Sequence, residues 1–192
     1  YTRTRLTHTG EVVAVSTTIS EALGLNTSLC MAIAEGHDIG HVPYGHLGEE
    51  IISEILGKSF KHPVGGVVVA QHIEKDKGKG LNLTFETLQG ILHHSRTDSV
   101  DLVGDPNLPQ EYAVVMFADK IAYTFSDLND AIRYGFLKKD ELPKFIRSLG
   151  KNQDQKMYNV LQSLIEESKL QGRVGFNNSE IYQDFKKTRE FM

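Results

Sequence analysis

The stretch EGHDIGHVPYGHLGEE runs from Glu35 to Glu50. It carries His37, His41 and His46, Asp38, and the glutamates Glu35, Glu49 and Glu50. Gly36, Gly40, Pro43, Gly45 and Gly48 punctuate it. A core segment would be aliphatic and regular; this one concentrates titratable groups on a broken backbone. The glycines and proline make the part between His37 and His46 a turn. Upstream, Asn26 is a good N-cap for a helix running through Ala34 and stopping at Gly36. Downstream, Leu47, Ile51, Ile52, Ile55 and Leu56 recur at helical spacing, and Gly57 closes that helix.

The same period continues outward. Leu6, Val12, Val15, Ile19 and Leu23 predict a first helix ended by Gly24. Val64 to Ile73 reads as a helix, although its run of three valines also suits a strand. KDKGKG, Lys75 to Gly80, reads as a turn, and Thr84 to His93 as a helix. Residues 95–109 read as a loop. The longest helix runs from about Gln110 to Tyr134, with Ala113, Phe117, Ile121, Phe125, Leu128 and Ile132 on one face and Pro109 near its start. Residues 140–149 and 153–170 supply two more. Strand alternation is nearly absent. The expected class is all-α, one helical domain over residues 1–171, with 172–192 as a polar, loosely attached extension.

The 192 residues suffice for a real hydrophobic core. A net charge of −4 gives no general attraction to nucleic acid or anionic membranes, so any anionic ligand needs a local cluster of positive groups. The three lysines of KDKGKG read as a solvated loop rather than a nucleic-acid contact. Cys30 is the single cysteine and reads as a small core residue, which excludes an internal disulfide. No apolar run approaches the ~20 residues of a membrane helix, and no signal peptide pattern is present. Cytoplasm is the expected compartment.

Adjacent residues on a regular helix point about 100° apart, so His37 and Asp38 converge on one ion only where the helix ends. Two ligands hold a divalent ion poorly. The further candidates are His8, near the start of the first helix, and Asp119, inside the longest one. Imidazoles and carboxylates in that mix suit one divalent ion, Mn²⁺, Fe²⁺, Zn²⁺, Ni²⁺ or, less well, Mg²⁺. Glu49 follows His46 by three residues and shares its helix face, the arrangement of an acid–base pair, whereas Glu50 points elsewhere. Asp119, Tyr123 and Asp127 are spaced by four and stack on one face, with Lys120 bordering it.

RTRLTHTGEV, AEGHDIGHVPYGHLGEE and FADKIAY, in this order, resemble the HD-domain phosphohydrolases and match most closely their deoxynucleoside triphosphate triphosphohydrolase branch. The pattern H-D-x-G-H-x-P-x-G-H-x-G-E, His37 to Glu49, is the specific part. The resemblance implies an HD helical bundle in which His8, His37, Asp38 and Asp119 take the metal-ligand places. It implies a catalytic dyad at His46 and Glu49 and an active-site histidine at His62, with His46 or His62 as the general acid. It assigns Arg5 and His41 to phosphate, Lys120 to phosphate, Tyr123 to the sugar ring and Asp127 to the sugar 3′-hydroxyl; Arg3 is a second candidate beside Arg5. The implied reaction is hydrolysis of a deoxynucleoside triphosphate to deoxynucleoside and tripolyphosphate, by a homo-oligomer. Two other readings use the same ligands: an HD nucleotidase or phosphodiesterase acting on another phosphoester, and a regulatory module that binds nucleotide without turnover. His72, His93 and His94 receive no role.

Overall fold

A computed structural model describes residues 4–75, 77, 79–95 and 105–192. Arg3, part of the turn after Lys75 and most of the loop expected over 95–109 lie outside the described residues. Helix α1 (Arg5–Leu23) starts at Thr4, whose hydroxyl accepts the Thr7 amide, and ends at Gly24 in the left-handed region. Helix α2 (Thr27–Gly36) is capped by the Asn26 side chain, as expected. The Asn26 amide in turn donates to Glu111 Oε1 at 3.1 Å, which ties the start of α2 to the long helix α6 (Gln110–Arg133).

Helix α6 is the axis of the fold. Every residue from Tyr112 to Ala118 is buried, so its first half is apolar all round and not on one stripe only. It meets α1 and α2 on one side and α8 (Gln153–Gln171) on another. Helix α5 (Phe85–His93), capped by Thr84, packs on α2. No strand occurs among the described residues, and the valine run resolves as α4 (His62–Val68) continuing into a π turn, Val69–Ile73. Helix α7 is the short segment Lys144–Ser148.

Two regions depart from expectation. The segment from Gly172 is not a loose extension. Val174, Phe176, Tyr182 and Phe185 are buried, and helix α9 (Glu180–Phe191) packs on α7 and α8. Phe176 meets Phe117 edge-on at 6.4 Å between ring centroids, and Phe185 approaches Phe125 at 5.9 Å. Four buried apolar side chains, two before α9 and two three residues apart on it, outweigh the polar composition of the stretch. Helix α3 (His46–Leu56) departs in the opposite sense: its apolar residues Leu47, Ile51, Ile55 and Leu56 are exposed, and what it buries is Glu49.

Candidate active site

The site forms where the C-terminal end of α2 meets the starts of α1, α3 and α4 and the middle of α6. His37 follows α2 directly, keeps helical geometry and is fully buried. Its Nδ1 lies 2.6 Å from the carbonyl of Ala34. A carbonyl only accepts, so Nδ1 carries a proton, and in the neutral ring Nε2 then carries a lone pair. That Nε2 is buried and has no hydrogen-bond partner.

Around it stand the other three candidates. Asp38 Oδ1 is 3.5 Å from His37 Nε2, and Asp119 Oδ1 is 3.9 Å from the same atom. His8 Nε2 lies 3.1 Å from Asp119 Oδ1. One ligand atom each of His8, His37 and Asp38 lie within 4.8 Å of one another. An orphaned buried nitrogen beside two carboxylates is what a divalent ion would satisfy, and the donor set is that of first-row divalent ions. Burial raises the Asp38 carboxyl, yet the hydrogen bond from His41 and the charges of His37, His41 and Arg5 hold it well below the carboxylate range. Asp119 is lowered in the same way against burial, chiefly by His8 and His37. The counterpart is His8, where burial is outweighed by the Asp119 hydrogen bond and by the Asp119, Asp38 and Glu11 charges, so its pKa rises.

On the other side of Asp38 lies a second group. His41 Nε2 is 3.3 Å from Asp38 Oδ1. Its ring stacks on His62 with centroids 3.8 Å apart. Gly40 makes this approach possible: a Cβ there would fall 2.0 Å from the Gly66 amide and 2.1 Å from the His62 carbonyl. Glu49, 6% exposed, is the hub. Its Oε1 accepts from His62 Nδ1 at 2.9 Å and its Oε2 from the His62 amide at 3.2 Å. The hydrogen bond that the three-residue spacing predicts from Glu49 to His46 therefore goes to His62. The reason is position. His46 opens α3 and points outward, while Glu49 turns inward onto the first amide of α4, which has no partner within its own helix. His46 stays exposed, its ring 5.4 Å from that of His41 and 5.7 Å from that of His62. His41 Nδ1 is 3.0 Å from Glu49 Oε1 but out of line, and is left without a hydrogen bond. Burial and the neighbouring His41 lower the His62 pKa against the pull of Glu49.

A cleft of about 580 Å³ opens over both groups. Arg5, His8, Asp38, His41, His46, His62, Asp119, Lys120, Tyr123 and Asp127 all line it. Of the candidates named from sequence, His37 and Glu49 lie behind its wall. Arg5 donates to Asp38 Oδ2 at 2.8 Å. Burial lowers the Lys120 pKa, and burial with the Asp127 carboxylate raises that of the Tyr123 phenol.

His94 is the residue that sequence reasoning missed. It is 1% exposed and donates from Nδ1 to the Ile91 carbonyl at 2.7 Å. Its ring centroid is 5.3 Å from those of both His37 and His62. Burial and the His37 charge push its pKa down to about 4. The signal was the buried stripe Thr87, Gly90, Ile91 of α5, whose next step is residue 94. His93 instead stacks on Tyr112, and His72 is exposed.

No helix among the described residues is long and apolar enough to cross a membrane. Residues 5–124 match the HD domain family. A deoxyguanosinetriphosphate triphosphohydrolase-like protein of Clostridium tetani is 46% identical over 168 residues, 86% of this chain and 47% of the relative. Proteins of the same name from Clostridium perfringens and Caldanaerobacter subterraneus are 51% and 41% identical, over 75% and 99% of this chain. The chain spans about half the length of these curated relatives. With the HD pair at the end of α2, His8 and Asp119 facing it from α1 and α6, and this match, the chain belongs to the HD-domain family, in its deoxyguanosinetriphosphate triphosphohydrolase-like branch.

Proposed function

We propose that the protein is a metal-dependent hydrolase of deoxynucleoside triphosphates, releasing the deoxynucleoside and tripolyphosphate. The observation that carries this is one cleft lined by His8, Asp38 and Asp119, with His37 directly behind them, and by the Lys120–Tyr123–Asp127 face of α6. The name shared by the relatives points the same way. A divalent ion, with Mn²⁺ the first to test, would be held by His8, His37, Asp38 and Asp119 and would supply a polarised phosphoryl group and an activated water.

The side chains around it do the rest. A triphosphate carries about four negative charges at neutral pH, which a chain of net charge −4 can hold only at a local positive cluster. Arg5, Lys120 and His41 supply it, the guanidinium with a fork suited to non-bridging oxygens. Tyr123 packs on the sugar, and Asp127 accepts from its 3′-hydroxyl. The water oxygen bonds to the α-phosphorus as the bond from phosphorus to the 5′-oxygen breaks, and the departing oxygen needs a proton. His46 makes no hydrogen bond among the described residues, faces the cleft and is free to deliver that proton. Glu49, which shares a 4.8 Å cluster with His46, His41 and His62, supplies the compensating carboxylate. Self-association belongs to the same reading, supported by the exposed apolar side of α3 and read out by light scattering.

The test is incubation with Mn²⁺ and each of the four deoxynucleoside triphosphates, with tripolyphosphate as the product sought. Turnover of only a monophosphate or cyclic substrate would replace this reading by a nucleotidase or phosphodiesterase. Tight binding of nucleotide with no product would replace it by a regulatory module.

A further inference from the structure

The cleft has two ends of opposite character. One wall is a single stripe of α6, on which Asp119, Tyr123, Asp127, Asp130 and Tyr134 follow one another three or four residues apart. At 1.5 Å per residue that stripe is about 22 Å long. The Lys and Arg side chains of the lining, Lys120 and Arg5, stand at its Asp119 end, Arg5 through its bond to Asp38. The lining histidines gather there too, around Asp38 and Asp119. Past Tyr123 the stripe carries carboxylates and an aromatic ring, and no Lys or Arg among the described residues lines the cleft there.

The reading given above uses the stripe only as far as Asp127. With the triphosphate at the cationic end and the sugar at Tyr123 and Asp127, the base extends onward, over Asp130 and Tyr134. Asp130 lies one turn past Asp127, is half-buried, and its carboxylate makes no hydrogen bond or ion pair among the described residues. The neighbouring Ser126 hydroxyl is committed to Glu11 Oε2 at 3.1 Å. Tyr134 caps the C-terminal end of α6 and is 48% exposed, with its side chain on the cleft wall. A carboxylate only accepts, and an aromatic ring offers a flat apolar face. Together they suit a flat group that carries N–H donors on its edge.

We propose that Asp130 and Tyr134 are the base-reading end of the cleft: the Tyr134 ring packs on the base, and the Asp130 carboxylate accepts from its Watson–Crick edge, which selects guanine. The two oxygens of a carboxylate are matched by two donors side by side. Guanine presents such a pair, the ring N1–H and the exocyclic amine. Adenine and cytosine present an amine beside a bare ring nitrogen, whose lone pair repels a carboxylate. Thymine presents one N–H between two carbonyl oxygens. A site built to receive donors rejects a base without them, because its own polar group is then left unpaired. Stacking makes no such choice, since every base has a face to pack on. Tyr134 therefore supplies affinity and Asp130 supplies selection.

This inference rests on the deoxynucleoside triphosphate reading of the cleft, and the two fail differently. With Mn²⁺ present, kcat/KM is measured for the triphosphates of deoxyguanosine, deoxyinosine and thymidine. Deoxyinosine lacks only the exocyclic amine of guanine, so the unsubstituted protein should favour deoxyguanosine over it by about 10-fold. Asp130→Asn keeps the shape of the side chain. It should lower kcat/KM for deoxyguanosine triphosphate relative to thymidine triphosphate by about 10–100-fold and erase the preference over deoxyinosine. Tyr134→Leu should lower all three values together, by roughly 10-fold. Equal values for deoxyguanosine and deoxyinosine in the unsubstituted protein, or a preference that survives Asp130→Asn, overturn the inference and leave the hydrolase reading standing. No tripolyphosphate from any of the three overturns the hydrolase reading. Calorimetric titration of the same nucleotides then carries the comparison, and equal affinities, or no binding, overturn the inference as well.

Discussion

The two sides of Asp38 are built differently. On one side, His8, His37 and Asp119 sit on α1, the end of α2 and α6, the helices that share the main core. Their positions are fixed by many buried contacts around Val12, Ile33, Val115 and Phe117. On the other side, His41, His46 and His62 belong to a glycine-rich turn and to α3 and α4, whose apolar residues Leu47, Ile51, Ile55 and Val64 are exposed. There a single buried carboxylate, Glu49, organises the imidazoles. One half is positioned by hydrophobic packing and the other by one charge-assisted network. Substitutions on the first side should remove a ligand from a rigid frame, while those on the second should loosen the frame itself.

Asp119→Asn gives the largest expected effect. With an orphaned His37 and one carboxylate gone, metal content and turnover should fall together, turnover by on the order of 10³-fold or more. Retained metal with lost turnover would move Asp119 out of the ligand set. Next comes His46→Ala, expected to lower kcat by about 10²–10⁴ while metal content stays. Unchanged kcat would show that the proton comes from another group. Glu49→Gln tests the second half directly. It keeps the shape but removes the charge that holds His62, and a hydrogen bond to a charged group is worth about 1.5–3 kcal/mol, roughly 10–100-fold. The expectation is a drop of that size in kcat, with His8 and His37 undisturbed in NMR spectra. Equal disturbance of all the histidines would mean that the two halves are one unit.

The last prediction uses a carboxylate of the same design far from the cleft. Glu167 is buried and accepts from the amides of Asn177, Asn178 and Ser179, at 3.0, 2.9 and 3.1 Å. Burial alone would raise its pKa; these bonds and the Ser179 hydroxyl hold it below the ordinary value near 4.5. A folded pKa below the unfolded one gives stability that is present above pH 4.5 and lost as pH falls through the folded value. Glu167→Gln should therefore cost about 1–3 kcal/mol at pH 7 and flatten the acid limb of the stability curve, with kcat unchanged. A parallel loss of kcat would mean that the α8–α9 region reaches the cleft.

Legibility followed the same division. Helix caps and periods were readable because they depend on residues three or four apart: Asn26, Gly24, Gly57 and Thr84 all end or begin helices where the chain suggests. The set His8, His37, Asp38 and Asp119 was expected from the resemblance of its motifs to the HD-domain phosphohydrolases. The role of α9 was hidden, because Phe176, Tyr182 and Phe185 are few among many polar residues and gain their weight only against Phe117 and Phe125. His94 was hidden because continuing the Thr87–Gly90–Ile91 stripe marks it as inward-facing but does not say which rings it meets.

The chain by itself determined most of the helices up to α8 and which of their residues share a face, since 3.6 residues per turn is a local rule. Only the tertiary structure decided which imidazole Glu49 holds and that His94 joins the cluster. Those pairings depend on how closely α4 approaches the turn at Gly40 and on which rotamers survive there, and neither distance nor rotamer is a property of any short stretch of sequence.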